Sequence, residues 1–201
     1  MALFIIRHGE TAWNAARIIQ LPDTPLSERG IRQAELLGER LAGMAVTRIV
    51  VSDYRRALMT AERLHAATGA ALEQDEQLRE RHFGDLRGRP HAEVGDAYRL
   101  DLVPPGGESW NVFHQRVERA WAGLRHRVAD DAGNIAVVTH GLVCYSLALR
   151  HLRPPVGIHL TPTFFNNASL TVVEATPPWT VTSLNDCEHL QSLANRATAG
   201  V

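Results

Sequence analysis

The sequence predicts an α/β protein, a three-layer α/β/α sandwich around a mainly parallel sheet with an antiparallel element near the C-terminus. Three observations carry that prediction. Leu3-Phe4-Ile5-Ile6 is an apolar run that stops abruptly at Arg7-His8-Gly9, as a strand buried on both faces would. Ile135-Ala136-Val137-Val138 stops in the same way at Thr139-His140-Gly141. Strand and helix patterns alternate through residue 152, and Ser169–Glu174 with Trp179–Leu184 reads as a closing pair of strands around Pro177-Pro178. No linker divides the chain, so residues 1–201 are expected to form a single domain.

Composition narrows the functional classes. Hydrophobic residues make up 45% and charged residues 21% of the 201, the balance of an ordinary globular protein rather than a disordered or fibrous one. A net charge of -1 supplies no basic field for wrapping nucleic acid. No apolar stretch is long enough to span a membrane and the N-terminus lacks a signal-peptide pattern, so the expected location is cytoplasmic. Cys144 and Cys187 have no metal-ligand spacing, and each reads as a small hydrophobe in a reducing compartment. The ten histidines include no metalloprotease-type pair, so neither metal nor cofactor is expected.

In chain order, the first strand leads through Thr11-Ala12-Trp13-Asn14 into an exposed, proline-broken loop, Gln20–Pro25, close enough to line a site at the strand end. Ser27 caps a helix whose Ile31, Ala34, Leu37 and Leu41 form one stripe, with Gly43 its expected terminator. Arg48-Ile49-Val50-Val51 is a second strand, ending at Ser52-Asp53. The next helix places Ala57, Ala61 and Leu64 on one face and runs to Gly69. Arg55 and Arg56 fall in its first turn, where a cation opposes the helix dipole unless an anion joins it. They are either a solvated pair or a bidentate phosphate clamp.

Leu78–Asp85 is a charged segment without clear periodicity, of the kind that carries function. Pro104-Pro105-Gly106-Gly107-Glu108-Ser109 turns the chain into a helix marked by Val112, Arg116, Val117, Ala120 and Leu124. Leu142–Leu152 is an apolar helix, Ile158–Asn167 a loop over the site or a surface patch, and the tail beyond Leu193 is expected to fray. Trp110, Trp121 or the closing strands are candidates for a homodimer surface.

Ligands in open α/β sheets collect at the carboxyl ends of strands, which places Arg7 and His8 where chemistry usually occurs. Gly9 would let the backbone approach a ligand. An isolated Arg-His pair reads more readily as a surface cation beside a hydrogen-bonded core histidine, but a second strand ending in His140-Gly141 makes the pattern a site.

Arg7-His8-Gly9-Glu10-Thr11 with Asn14, Ser52-Asp53 leading to Arg56-Ala57 and Thr60-Ala61, Leu78-Arg79-Glu80 with Phe83-Gly84-Asp85 and Gly88, Gly106-Gly107-Glu108-Ser109, and Thr139-His140-Gly141 resemble, in order, the motifs of the histidine phosphatase superfamily. That family comprises the cofactor-dependent phosphoglycerate mutases and their phosphatase relatives. The resemblance implies that His8 is a nucleophile forming a phosphohistidine, and that Arg7, Arg56 and His140 bind the transferred phosphoryl group. It further implies that Asn14 donates to a phosphate oxygen, that Thr11, Gly141 and Leu142 lie at the phosphate or substrate, and that Glu80 protonates the leaving oxygen. Two arginines and an imidazolium would stabilise the equatorial oxygens without a metal. Glu80 would need a pKa raised by burial, or lowered less than its cationic neighbours imply.

Departures from the family pattern bear on the reaction. The mutases carry Asn after the second His-Gly, where this chain has Leu142, and the interval Arg81–Pro105, with Arg87, Arg89 and Arg99, is short. Both favour a phosphatase of small phosphate esters, resembling the broad-specificity and α-ribazole phosphatases. Arg81-His82 resembles the mutase branch instead, and Leu86 replaces a tryptophan frequent after Gly-Asp. A phosphoglycerate mutase is the alternative, and a non-catalytic phosphate-binding module is opposed by the joint presence of His8, Arg7, Arg56, Glu80 and His140.

Overall fold

The computed structural model describes residues 1–95 and 102–193, so Arg99 and the tail beyond Leu193 lie outside the described residues. In chain order the elements are β1 (Ala2–Arg7), α1 (Ala12–Ala15), α2 (Glu28–Leu41), β2 (Val46–Val51), α3 (Arg55–Thr68), β3 (Ala71–Gln74), α4 (His91–Val94), α5 (Trp110–Asp130), β4 (Asn134–Thr139), α6 (Gly141–Arg150), β5 (Leu170–Glu174) and β6 (Val181–Asp186). They build one six-stranded sheet in the order β3-β2-β4-β1-β5-β6. The strands β3, β2, β4 and β1 run parallel, and β5 and β6 add antiparallel pairs, so the α/β architecture is as the sequence predicts.

Alternation along the central strands divides the core into two layers. Leu3, Ile5, Ile135 and Val137 face α5 and α6 on one side. Phe4, Ile6, Ala136 and Val138 face Leu37 and Leu41 of α2 and Ala57, Ala61 and Leu64 of α3 on the other. The register that pairs Arg7 with Thr139 brings the ends of β1 and β4 level, and the His8 N–H donates to the Thr139 carbonyl (2.9 Å). The two His-Gly steps therefore leave the sheet side by side. Among the described residues no helix is long and apolar enough to cross a membrane.

Several local expectations need correction. Helix α2 ends at Leu41 with Ala42 as its cap, and the left-handed residue beyond it is Ala45 (φ 47°) rather than Gly43. Gly69 does end α3 in the left-handed conformation. Val112 is half exposed, and the inward face of α5 is Trp110, Phe113, Val117, Ala120, Trp121, Leu124 and Val128. Trp110 and Trp121 are 5% and 4% exposed and offer no dimer surface. Trp110 lies under the Arg81 guanidinium, and Trp121 meets Trp179 edge to face and stacks on His151. Cys144 is buried and Cys187 half-buried, both as free thiols.

Candidate active site

A cavity of about 360 Å³ opens at the carboxyl ends of β1, β2 and β4. Arg7, His8, Asn14, Arg56 and Glu80 line it, and Trp13, Arg17, Gln20, Arg87 and Thr163 are among its other walls. His140 lies fully buried behind it, with its ring centroid 5.2 Å from that of His8.

His8 has a defined tautomer. Its Nδ1 stands 2.7 Å from the Gly9 carbonyl, which can only accept, so Nδ1 carries the proton and Nε2 the lone pair. Arg56 Nε donates to that Nε2 at 3.2 Å. Burial, then the charges of Arg56 and Arg7, hold the His8 pKa well below its usual 6.5 against the opposing Gly9 bond, so the ring is neutral. His140 is likewise lowered by burial, then by Arg56, His8 and Arg7. Its ring is thus held as a neutral imidazole. Its Nε2 meets the Ser52 hydroxyl (2.8 Å), while its Nδ1 and the Nε of Arg7 are buried without a hydrogen-bond partner among the described residues. Two such unpaired nitrogens beside an imidazole suit an anionic oxygen.

Arg56 is 2% exposed, and burial lowers its pKa to about 10, which leaves it charged at neutral pH. Its Nη1 donates to the Leu21 carbonyl (2.9 Å) and its guanidinium lies 5.2 Å above the Tyr54 ring, so the Gln20–Pro25 loop does reach the site. Of the two arginines opening α3, Arg55 points elsewhere and is exposed. Arg7 donates through Nη1 to the Phe165 carbonyl (2.5 Å), and a Cβ on Gly141 would stand 3.4 Å from Arg7 Nε. Gly141 thus lets the guanidinium lie across the start of α6. The Ile158–Asn167 segment is both loop and surface: Thr163 lines the cavity and Asn167 donates to the His8 carbonyl, while Ile158 is exposed.

Glu80 is held by backbone donors. Its Oε1 accepts from the Arg81 N–H (3.0 Å) and its Oε2 from the Leu142 N–H (3.3 Å). Burial outweighs these bonds and the charges of Arg56 and Arg7, so its pKa is raised, as its expected role as an acid requires. The loop that carries it is pinned by the Thr139 hydroxyl on the Leu78 carbonyl (2.8 Å) and by Arg116, which donates to the carbonyls of Gln77, Arg79 and Glu80. Arg116 also forks onto Glu108 (both 2.8 Å). Although burial opposes it, this pairing keeps Glu108 below the usual carboxylate range.

Other predicted residues act at one remove. Thr11 is fully buried and does not line the cavity. Its hydroxyl caps α1 by accepting the Asn14 N–H (2.9 Å). The Asn14 Oδ1 accepts from the Thr11 N–H and from Asn167 Nδ2, which leaves its own Nδ2, without a partner among the described residues, as the other end of a cavity-lining amide. The Leu142 side chain is buried in the core. Gly9 meets protein, not ligand: a Cβ there would stand 2.6 Å from the Gly30 carbonyl oxygen of α2. Arg81 lines the cavity yet donates to the Glu108 and Leu102 carbonyls, and His82 lies outside the cavity wall. Arg89 faces Glu93 at 4.0 Å. Among the described residues no cluster of His, Cys, Asp or Glu is placed to hold a metal ion.

Tyr54, Ser52, Asn167, Arg17 and Arg87 also belong to the site, although sequence patterning does not single them out as its members. The Ser52 position at a strand end and the Ile158–Asn167 loop that carries Asn167 are the signals for it.

A neutral imidazole between two arginines, with a protonatable carboxyl across the cavity, defines a class of protein built to handle phosphoryl groups at the carboxyl ends of parallel strands. The profile of the histidine phosphatase superfamily (branch 1) matches residues 3–187, and the chain belongs to that superfamily. It is 40% identical over 111 residues to a probable phosphoglycerate mutase, GpmB, of Yersinia pestis (strain Pestoides F), a match that takes in 55% of this chain and 47% of that protein. It thus aligns with about half the length of the curated relatives it matches. Among solved structures it resembles a mycobacterial glucosyl-3-phosphoglycerate phosphatase in complex with VO3 (30% identity, TM-score 0.77, covering 92% of this chain and 98% of that one). It also resembles the α-ribazole phosphatase of Shigella flexneri (27% identity, TM-score 0.79, covering 93% and 97%).

Proposed function

We propose that the protein is a phosphatase of small phosphomonoesters that works through a phosphohistidine on His8. The observation that carries this reading is the His8 tautomer: Nδ1–H donates to Gly9, and Nε2 keeps its lone pair beside Arg56 at 3.2 Å. In the first step His8 Nε2 attacks phosphorus in line, the bond to the ester oxygen breaks, and Glu80 gives its proton to the departing alkoxide. In the second step ionised Glu80 takes a proton from water, whose oxygen attacks phosphorus, so that inorganic phosphate leaves and His8 is restored. Arg7, Arg56, His140 and the Asn14 amide hold the three equatorial oxygens in both steps. The incoming phosphate charge favours protonation of His140, which then acts as the imidazolium the chemistry calls for.

The phosphoglycerate mutase reading is favoured by the 40% identity to a probable mutase over 111 residues and by Arg81-His82 directly after Glu80. Against it stand the Leu142 side chain, turned into the core, and Arg81, whose guanidinium already serves backbone carbonyls. A mutase must also shield its phosphohistidine from water. Phosphate release from a panel of phosphomonoesters, run beside a 3- to 2-phosphoglycerate isomerisation assay with and without bisphosphoglycerate, decides between them. The phosphatase reading expects net hydrolysis without the primer. Primer-dependent isomerisation about tenfold faster than hydrolysis, about 1.4 kcal/mol in relative barriers, would overturn it.

A further inference from the structure

Resting on that reading, we infer that Arg87, held in place by Tyr54, is a specificity-determining residue that pairs with a second negative group on the alcohol portion of the ester. The cavity is strongly cationic. Arg7, Arg17, Arg56, Arg81 and Arg87 line it, and Glu80 is the carboxylate among the lining residues. A bound phosphoryl group occupies Arg7 and Arg56. Arg81 is committed to the carbonyls of Glu108 and Leu102 and lies 4.5 Å over the Trp110 ring. The positive charge at Arg87 therefore exceeds what one phosphate needs.

Arg87 is fixed from behind. Its Nη2 donates to the Tyr54 hydroxyl at 2.8 Å, its Nη1 stands 3.0 Å from His82 Nε2, and its guanidinium lies 5.8 Å from the Tyr54 ring centroid. The guanidinium has five N–H donors, so Nε–H and one hydrogen on each Nη remain for a ligand. No described carboxylate pairs with it. By contrast Arg40, Arg48, Arg79, Arg116 and Arg127, each partly buried, all meet an Asp or Glu. A half-buried, pre-positioned guanidinium that faces a cavity without a counter-charge suits a carboxylate or a phosphate bound through two oxygens.

Tyr54 sets the distance between the two ends of the substrate. The same ring that carries Arg87 on its hydroxyl lies beneath Arg56 and meets His140 edge to face at 5.3 Å. Arg87 is thereby referenced to the phosphoryl-binding groups rather than to a free loop. Tyr54 acts here as a positioning residue, and the cavity's volume of about 360 Å³ limits the ester to a small one.

The test uses phosphonates, whose carbon–phosphorus bond keeps binding separate from turnover. Calorimetry on the full chain compares 3-phosphonopropionate with propylphosphonate, ligands of similar size that differ in the second anion. The unaltered protein should bind the first about tenfold more tightly. Arg87→Met should bring the ratio to about twofold or less while leaving propylphosphonate within about twofold, and Tyr54→Phe, which keeps the ring, should lower the ratio by a smaller factor in the same direction. Arg89→Met, a surface arginine of the same loop, should leave the ratio unchanged. Propane-1,3-diphosphonate, run alongside, shows whether carboxylate or phosphate gains more from Arg87. Equal affinities in the unaltered protein, a ratio that survives Arg87→Met, equal weakening of both ligands, or no binding of either would overturn the inference. Failure of the phosphatase reading looks different: no phosphate release from 4-nitrophenyl phosphate while the Arg87-dependent ratio persists.

Discussion

The backbone N–H of Leu142 donates to Glu80 Oε2 at 3.3 Å, which ties the loop carboxyl to the first turn of the helix behind His140. At the position where the side chain departs from the mutase pattern, the main chain still orients the Glu80 carboxyl. Glu80→Gln keeps the shape and loses the proton. Its rate deficit should therefore depend on the leaving group: about 10²-fold or more for an alkyl phosphate, and much less for 4-nitrophenyl phosphate, whose leaving oxygen needs little protonation. Steady-state kinetics on both esters checks this, and equal deficits would remove Glu80 as the acid.

His8 and Glu80 are shifted in opposite senses, and the pH profile should show it. The first step needs a neutral imidazole and a protonated carboxyl. At their ordinary values of 6.5 and 4.5 these two forms would scarcely coexist. Lowering His8 and raising Glu80 widens the overlap. The acid limb of kcat/KM should fall below the usual imidazole range, since His8 loses its lone pair only below its depressed pKa. The alkaline limb should follow Glu80 ionisation and disappear in Glu80→Gln. A profile whose acid limb stands at 6.5 or above would contradict the shift.

Two glycines near α2 should respond in opposite ways. A Cβ at Gly9 would stand 2.6 Å from a backbone oxygen of Gly30, whereas nothing lies within 4 Å of one at Gly43, whose φ is not left-handed. Gly9→Ala should lower the urea midpoint strongly, and Gly43→Ala should leave it unchanged or raise stability by about 0.4–1 kcal/mol through the unfolded chain. Denaturant titrations of the two variants provide the comparison.

Arg81 is 1% exposed and bonds to two backbone carbonyls, so its main contribution is to stability. Arg81→Met leaves those carbonyls without their charged donor and should cost about 3 kcal/mol, a Tm loss of about 6–12 °C by calorimetry. A Tm within about 2 °C of the unaltered protein would refute this role.

The buried strands β1 and β4 are legible in the sequence because four consecutive apolar residues that stop at a polar step and His-Gly fit a strand buried on both faces and ending in a site. Strand β3 is not, since Ala71-Leu72-Glu73-Gln74 has one large apolar residue and is held at the sheet edge partly by Glu73 pairing with Arg48 and Arg127. In the site, the motif-borne groups Arg7, His8, Asn14, Arg56 and Glu80 line one cavity, because each lies on a strand end, a helix start or an adjoining loop. The constraint on Gly9 is hidden from local pattern, because it comes from Gly30 of α2, a neighbour distant in sequence. Tyr54 and Arg87 are hidden in the same way, since they meet across 33 positions and only the course of the Leu78–Arg89 loop joins them.

Covalent phosphorylation at His8 is the step on which the proposed mechanism depends. Rapid quenching in alkali during turnover of a phosphomonoester, followed by mass spectrometry of the digested protein, reads it directly. The predicted result is one acid-labile, base-stable phosphate on the peptide bearing His8, bonded at Nε2 because Nδ1 donates to Gly9, and none on His8→Ala, which should also lose turnover. Ordinary activity in His8→Ala, or turnover with no phosphate on His8 at any quench time, would contradict it.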